Sequence, residues 1–330
     1  MTLILTRASK NYVLQVTDRL VTRGRKPFDT LANKNVLYCA RNAIVAMGYT
    51  GPAYLDGMPT DQWIVEKLTA KKTVYHDGKP AAFGFYKPER FLDIGLSMRM
   101  LRTEFEDATS AAVRQDRTSG WRAQDFDLCV AGWQWYRRNK PFRPLLLALT
   151  KPGGSTSFQV VEEPRHWHFA SDLTADMPEK RCLFRVGAAP VGNIGNSALR
   201  KLVLQLEDKR FDEAEALLVD CMRDVAARVP EVGRDCLSIL LLPPPAARAR
   251  VRYIPATRTE AILISKAKTI RLPAAFSPWL VGPSGIVAPS VMGGTLHTRL
   301  GFYDVAMEAP ELPASGVGGY MSGLRRPPAR

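Results

Sequence analysis

Thr2 follows the initiator methionine directly. A small second residue favours removal of that methionine, so the mature chain is expected to begin with a residue carrying both a hydroxyl and a free α-amine. An α-amine has an unperturbed pKa of about 8, so a good share of it is neutral near neutral pH and can accept the hydroxyl proton. Nucleophile and general base are then supplied by one residue. Three further residues bear on this. Asp18 follows the β-branched run Tyr12–Thr17, Lys34 opens the run Asn35–Cys39, and Gly48 ends the next apolar run. An ammonium beside the hydroxyl lowers its pKa, and a carboxylate keeps that ammonium charged. An uncrowded glycine N–H can face a developing oxyanion. Singly, each has a plain structural reading: Thr2 as an inert N-terminal residue, Asp18 as a turn former, Lys34 as a surface charge, Gly48 as a strand terminator.

Other reactive residues form no constellation. Cys39, Cys129, Cys182, Cys221 and Cys236 are odd in number, widely spaced and mostly set in apolar runs. They read as buried thiols in a reducing compartment rather than as a disulfide framework or a zinc site. His166-Trp167-His168 could turn two imidazoles to one face of a strand, but no third ligand accompanies them, and a strand edge is the simpler reading. No metal and no cofactor is expected.

These residues need a scaffold, and the composition allows one. The chain has 330 residues, 46% of them apolar, which suits one large domain or two ordinary ones. No run approaches the roughly 18 apolar residues of a membrane span, and no secretory leader is expected. Disorder, collagen, coiled coil and membrane protein are excluded, which leaves a soluble, cytoplasmic globular protein. The net charge is +14, and half of that excess lies in residues 246–330. Those basic residues are scattered among Pro, Ala and Gly with no nucleic-acid motif, so a solvated basic surface is expected and nucleic acid is a disfavoured partner.

Periodicity gives strands at Leu3–Leu5, Tyr12–Thr17, Asn35–Cys39 and Ala43–Met47, with Arg41-Asn42 as the turn between the last two. Helices are expected from Thr60 to Leu68 and from Arg90 to about Asp116, then strands at Phe126–Ala131, Leu145–Thr150, Ser157–Glu162 and Cys182–Val186. Two more helices fit Ser197–Asp208 and Phe211 to about Arg228, and Cys236–Leu242 is an apolar strand stopped by Pro243-Pro244-Pro245. This order fits an α+β protein built as a four-layer αββα sandwich, with paired sheets inside and helix pairs outside. The tri-proline divides the chain into 1–245 and a basic Pro/Gly-rich extension, 246–330, which is β-rich or irregular. Within it, Ala261–Lys266 and Leu300–Met307 are β-like, and Pro310–Arg330 reads as a loose tail.

Thr2, Asp18-Arg19-Leu20-Val21-Thr22, Lys34 and Ala46-Met47-Gly48-Tyr49-Thr50 together resemble the active-site frame of proteasome β-type subunits and the bacterial protease HslV, which are N-terminal-nucleophile (Ntn) hydrolases. With Met1 removed, the spacings from nucleophile to Asp, Thr, Lys and Gly match without a gap. The resemblance implies a threonine peptidase in which Thr2 becomes acylated, Lys34 tunes it, Asp18 pairs with Lys34, and the Gly48 N–H stabilises the oxyanion. It also implies that the backbone of Thr22 and Gly48 holds an extended peptide by strand addition. Val21, Ala32, Val36, Ala46 and Thr50 then shape a pocket for apolar side chains. The implied partners are a peptide or protein substrate and further copies of the chain in a homo-oligomer. Delivery by an unfoldase ATPase is left open.

The turns that support the N-terminal amine in that family depart from its pattern. Asn193 and Ser197 could serve in the first, but the second, Pro230–Asp235, has no serine. These departures and the extension favour an alternative of another class, a non-catalytic subunit that assembles or binds partners.

Overall fold

The structure is a computed structural model. It describes residues 2–23, 26–29, 32–72, 75–76, 79–80, 87–115, 125–135, 142–151, 155, 157–162, 168–169, 182–187, 206, 210–256, 261–265, 268–272, 275–276, 278–287, 290–291 and 294–309. Among the described residues, the chain is a mixed α+β protein, mostly strands in several sheets with few helices.

The N-terminal strands are β1 (Leu3–Ala8), β2 (Val13–Asp18), β3 (Val21–Arg23), β4 (Lys26–Asp29), β5 (Asn35–Ala40) and β6 (Ala43–Thr50). Helices α1 (Thr60–Thr69) and α2 (Ile94–Gln115) follow, then β7 (Phe126–Gln134), β8 (Arg143–Lys151), β9 (Gln159–Glu162), β10 (His168–Phe169) and β11 (Cys182–Gly187). Helix α3 (Phe211–Ala226) precedes β12 (Cys236–Leu241), β13 (Arg248–Ile254), β14 (Trp279–Gly282), β15 (Gly285–Val287), β16 (Gly294–Leu300) and β17 (Tyr303–Ala309). One large sheet has the order β10-β11-β1-β2-β12-β13-β17-β16 and the other β9-β8-β7-β6-β5-β14-β15. The expected helix Ser197–Asp208 lies outside the described residues apart from Leu206, as do Asn193, His166 and Pro310–Arg330.

The central strands of both large sheets carry buried side chains on both faces, which is why β5, β6 and β12 read as continuous apolar runs, whereas β13 and β17 alternate. In β5 and β6, Tyr38, Val45 and Met47 pack with Trp63, Leu68 and Phe105 from α1 and α2. The opposite face presents Leu37, Ile44 and Ala46 to Ile4, Ile239 and Val251 of the other sheet. Beyond that sheet, Leu14 and Val16 pack on Leu218 and Met222 of α3. At roughly 1.5–3 kcal/mol for each large apolar side chain fully buried, these contacts are the main favourable contribution to the fold.

Turn chemistry fixes the hairpins. Ser9 Oγ accepts from the N–H groups of Asn11 and Tyr12, closing β1 onto β2. Asn42, in the expected Arg41-Asn42 turn, accepts the Ile94 N–H at its side-chain oxygen and so caps the start of α2 from another part of the chain.

Residues after 245 add strands to both sheets. The tri-proline lies in the turn of the β12–β13 hairpin, where Ala247 N–H donates to the Pro243 carbonyl at 3.2 Å. Strand β17 joins β13 in parallel, and β14 joins β5 in parallel. The expected run Leu300–Met307 is two strands divided at Gly301, whose φ of 63 favours glycine. The basic residues of this segment are not all solvated. Arg250 pairs with Asp212 at 2.7 Å and Glu215 at 3.2 Å, and Arg252 pairs with Glu215 at 2.6 Å and Glu308 at 2.7 Å. Among the described residues, no helix is long and apolar enough to cross a membrane.

Candidate active site

Asp18 ends β2 and is fully buried. Its Oδ1 accepts the Leu3 N–H at 2.9 Å. Its Oδ2 accepts from Lys34 Nζ at 2.9 Å, from the Gly233 N–H at 3.0 Å and from the Leu20 N–H at 3.1 Å. A carboxylate this deep needs such donors, because burying an unpaired charge costs several kcal/mol. Lys34 is buried, and its ammonium also donates to the Leu20 carbonyl. One carboxylate therefore fixes both the ammonium and the peptide that follows Thr2. Thr2 itself is buried, one residue before β1.

Gly48 lies inside β6, opposite Asn35 of β5 and Cys129 of β7. A Cβ there would come 2.7 Å from Asn35 Oδ1, 2.9 Å from Gln15 Oε1 and 3.1 Å from Ile4 Cδ1, so the position is closed to a side chain by contact across the sheets. Tyr49 N–H donates to the Lys34 carbonyl at 3.0 Å, and the Asn42 carbonyl accepts from Trp135 N–H at 2.8 Å. Antiparallel alternation then turns the odd residues of β6 toward β5 and the even ones toward β7. The Gly48 N–H is accordingly directed at β7.

The residues expected to shape a pocket divide. Val21, at the edge of burial, and half-buried Thr22 lie in β3, which pairs with β4 through Thr22 and Pro27. Half-buried Ala32 lies on the approach to Lys34, and Thr50 is buried at the end of β6. Val36 belongs to the core against α1 and α2, whereas Ala46 belongs to the core between the sheets, so those two side chains occupy opposite faces of one sheet.

Gly233 and the Leu20 carbonyl escape a reading that looks only for a serine in Pro230–Asp235. The available signal is the glycine itself. A Cβ on Gly233 would sit 2.7 Å from Leu20 Cβ and 2.9 Å from Leu20 N, so only glycine lets this turn reach Asp18. Cys236, beside Asp18 in register, is buried, and burial, with the Asp18 charge adding to it, pushes its thiol up to about 12. Among the described residues, no group of three or more His, Cys, Asp or Glu side chains could hold a metal ion.

No protein-family model and no curated protein matches the chain. Among solved structures, it is similar to Anbu (ancestral beta-subunit) from Yersinia bercovieri, with a TM-score of 0.40 and 12% identity over 73% of this chain and 81% of that one. It is also similar to an Anbu (Gly-1) mutant from Hyphomicrobium sp. strain MC1, with a TM-score of 0.39 and 13% identity over 73% of this chain and 82% of that one. These neighbours correct the family expected from the sequence. The likeness is to Anbu, not to HslV, and it is distant. At that distance it says nothing of chemistry.

Proposed function

We propose that the chain is an amide-bond hydrolase, a threonine peptidase in which Thr2 is the N-terminal nucleophile once Met1 has been removed. The observation that carries this reading is the Asp18 carboxylate, which binds the Leu3 N–H and the Lys34 ammonium at 2.9 Å each within a buried site. That arrangement holds a positive charge and the first peptide of the mature chain in one fixed relation. Thr2 Oγ attacks the substrate carbonyl carbon, and its proton passes to the α-amine. Collapse of the tetrahedral adduct breaks the C–N bond, the leaving amine takes that proton, and the acyl group remains as an ester on Oγ. Water, deprotonated by the same α-amine, then hydrolyses the ester and restores Thr2.

In this proposal Lys34 lowers the cost of the Oγ negative charge and Asp18 keeps Lys34 charged. Gly48 donates its N–H to the oxyanion, sharing it with the strand ladder toward Cys129. Thr22 and Gly48 hold the extended substrate, and Val21, Ala32 and Thr50 bear on selectivity, whereas Val36 and Ala46, buried on opposite faces of one sheet, act on it only through packing. The scaffold is proposed to be the four-layer αββα sandwich, residues 1–245, with 246–330 widening its sheets. Copies assemble as a homo-oligomer in the cytoplasm, and the substrate is a peptide or protein.

The direction of the Gly48 N–H favours a second reading, a non-catalytic subunit that assembles or binds partners. Reaction with a peptide epoxyketone followed by peptide mass mapping separates the two. An adduct on Thr2 as the first residue supports the hydrolase. An N-terminal peptide that keeps Met1 and carries no label sinks it. Cleavage of amide substrates by Lys34→Ala at the wild-type rate would equally rule out the mechanism.

A further inference from the structure

Arg19 follows Asp18 and is fully buried, although the hydrolytic scheme gives it no task. Its guanidinium lies over the ring of Tyr253, 4.7 Å from the ring centroid, and Tyr253 belongs to β13, beyond the tri-proline. From there Arg19 Nε donates to the Ala32 carbonyl at 3.3 Å and Nη2 to Asn33 Oδ1 at 3.2 Å. The same short segment is held from its other side, where Tyr49 Oη donates to the Asn33 carbonyl at 3.1 Å and Tyr49 N–H to the Lys34 carbonyl at 3.0 Å. The backbone of Arg19 is anchored as well, since its N–H donates to the Asp235 carbonyl at 3.1 Å. Asp235 in turn accepts the Ala256 N–H at Oδ1, 2.7 Å away, just past β13.

We propose that Arg19 is a positioning residue that fastens the Ala32–Asn33 approach to Lys34 onto Tyr253. The segment after residue 245 thereby sets the placement of the ammonium. The inference rests on the functional reading only for its catalytic consequence. The physical grounds are the forked guanidinium, which donates to a carbonyl and a side-chain oxygen at once while its charge lies over the aromatic ring. Lysine can supply a charge and one donor there, and methionine only the apolar stem.

The test uses the full chain with Arg19→Met, Arg19→Lys and Tyr253→Leu. Hydrogen exchange at the Tyr49 amide reads the hold on the Lys34 carbonyl whether or not Thr2 reacts. Arg19→Met is expected to speed that exchange at least tenfold relative to amides of β7, with Arg19→Lys intermediate and Tyr253→Leu a few-fold faster. Where wild-type Thr2 takes the epoxyketone, the maximal labelling rate is expected to fall about tenfold in Arg19→Met, with half-saturation unchanged and partial recovery in Arg19→Lys. Wild-type exchange at Tyr49 in all three variants overturns the inference. So does a loss that merely follows melting temperature, with no recovery by lysine. A wild-type N-terminal peptide that keeps Met1 and carries no label, combined with altered exchange in the variants, defeats the hydrolase reading and leaves the positioning role standing.

Discussion

The N–H of Gly233 reaches Oδ2 of Asp18 at 3.0 Å across a sequence separation of 215 residues. That bond ties the turn before β12 to the carboxylate that holds Lys34, so two distant parts of the chain share one buried charge. Gly233→Ala forces a Cβ to within 2.7 Å of Leu20 Cβ. The expected cost is about 1–3 kcal/mol of overpacking, read as a lower urea midpoint, with loss of Thr2 labelling. A variant with wild-type stability and labelling would remove this turn from the site.

Breaking the central ion pair should hurt more than removing it. Lys34 and Asp18 are 4% and 0% exposed, so Asp18→Asn or Lys34→Met alone strands a buried charge at about 3–5 kcal/mol. The double variant is expected to regain much of that stability while remaining inactive. A double-mutant cycle by denaturant unfolding measures the coupling, and additive losses would show that the pair does not act as a unit.

The thiol of Cys236 is expected to resist alkylation in the folded protein. With its pKa pushed up to about 12, roughly one thiol in ten thousand is ionised at pH 8. The sign for stability follows from the raised value. Between about 9 and 12 the folded chain holds a proton that the unfolded chain releases, so stability is full below that window and declines as pH rises through it. Cys236→Ala should flatten the decline. Iodoacetamide labelling of native and unfolded protein at one pH provides the direct comparison.

Glu215 is 3% exposed and accepts from Ser238, Arg250 and Arg252, joining α3 to β12 and β13. Glu215→Gln leaves two guanidiniums with weaker partners. Both are partly solvated, so a loss of about 1–3 kcal/mol is expected rather than the full cost of a buried orphan charge. Raising the salt concentration should narrow the gap to wild type. A gap that is unaffected by salt would assign the loss to packing instead.

Local patterns made much of the chain legible. The apolar runs of β1, β2, β5, β6 and β12, the Arg41-Asn42 turn and the helix at Phe211 are local signals, and the structure has elements at those places. The pairing of Asp18 with Lys34 came from the resemblance and not from local pattern, since the two residues flank strands of different sheets. Contacts of long range were not legible. Nothing near Gly233 announces Asp18, and nothing near Tyr253 announces Arg19, because each contact depends on which strands lie side by side. Ladder parity was hidden for the same reason. Gly48 reads as a free strand end until β7 is known to lie alongside it.

The parallel pairing of β14 with β5 has a kinetic consequence. Val36 waits for Trp279, its register partner, and β12 waits for a strand that begins only at Arg248. At ribosomal speeds of about 5–20 residues per second, the strand at Trp279 emerges roughly 10–50 s after β5. Throughout that interval the outer edge of β5 offers bare backbone donors and acceptors to any neighbouring chain. The last quarter of the protein therefore ends the period in which the nascent sheets are open to mispairing, and truncation at residue 245 would make that period permanent.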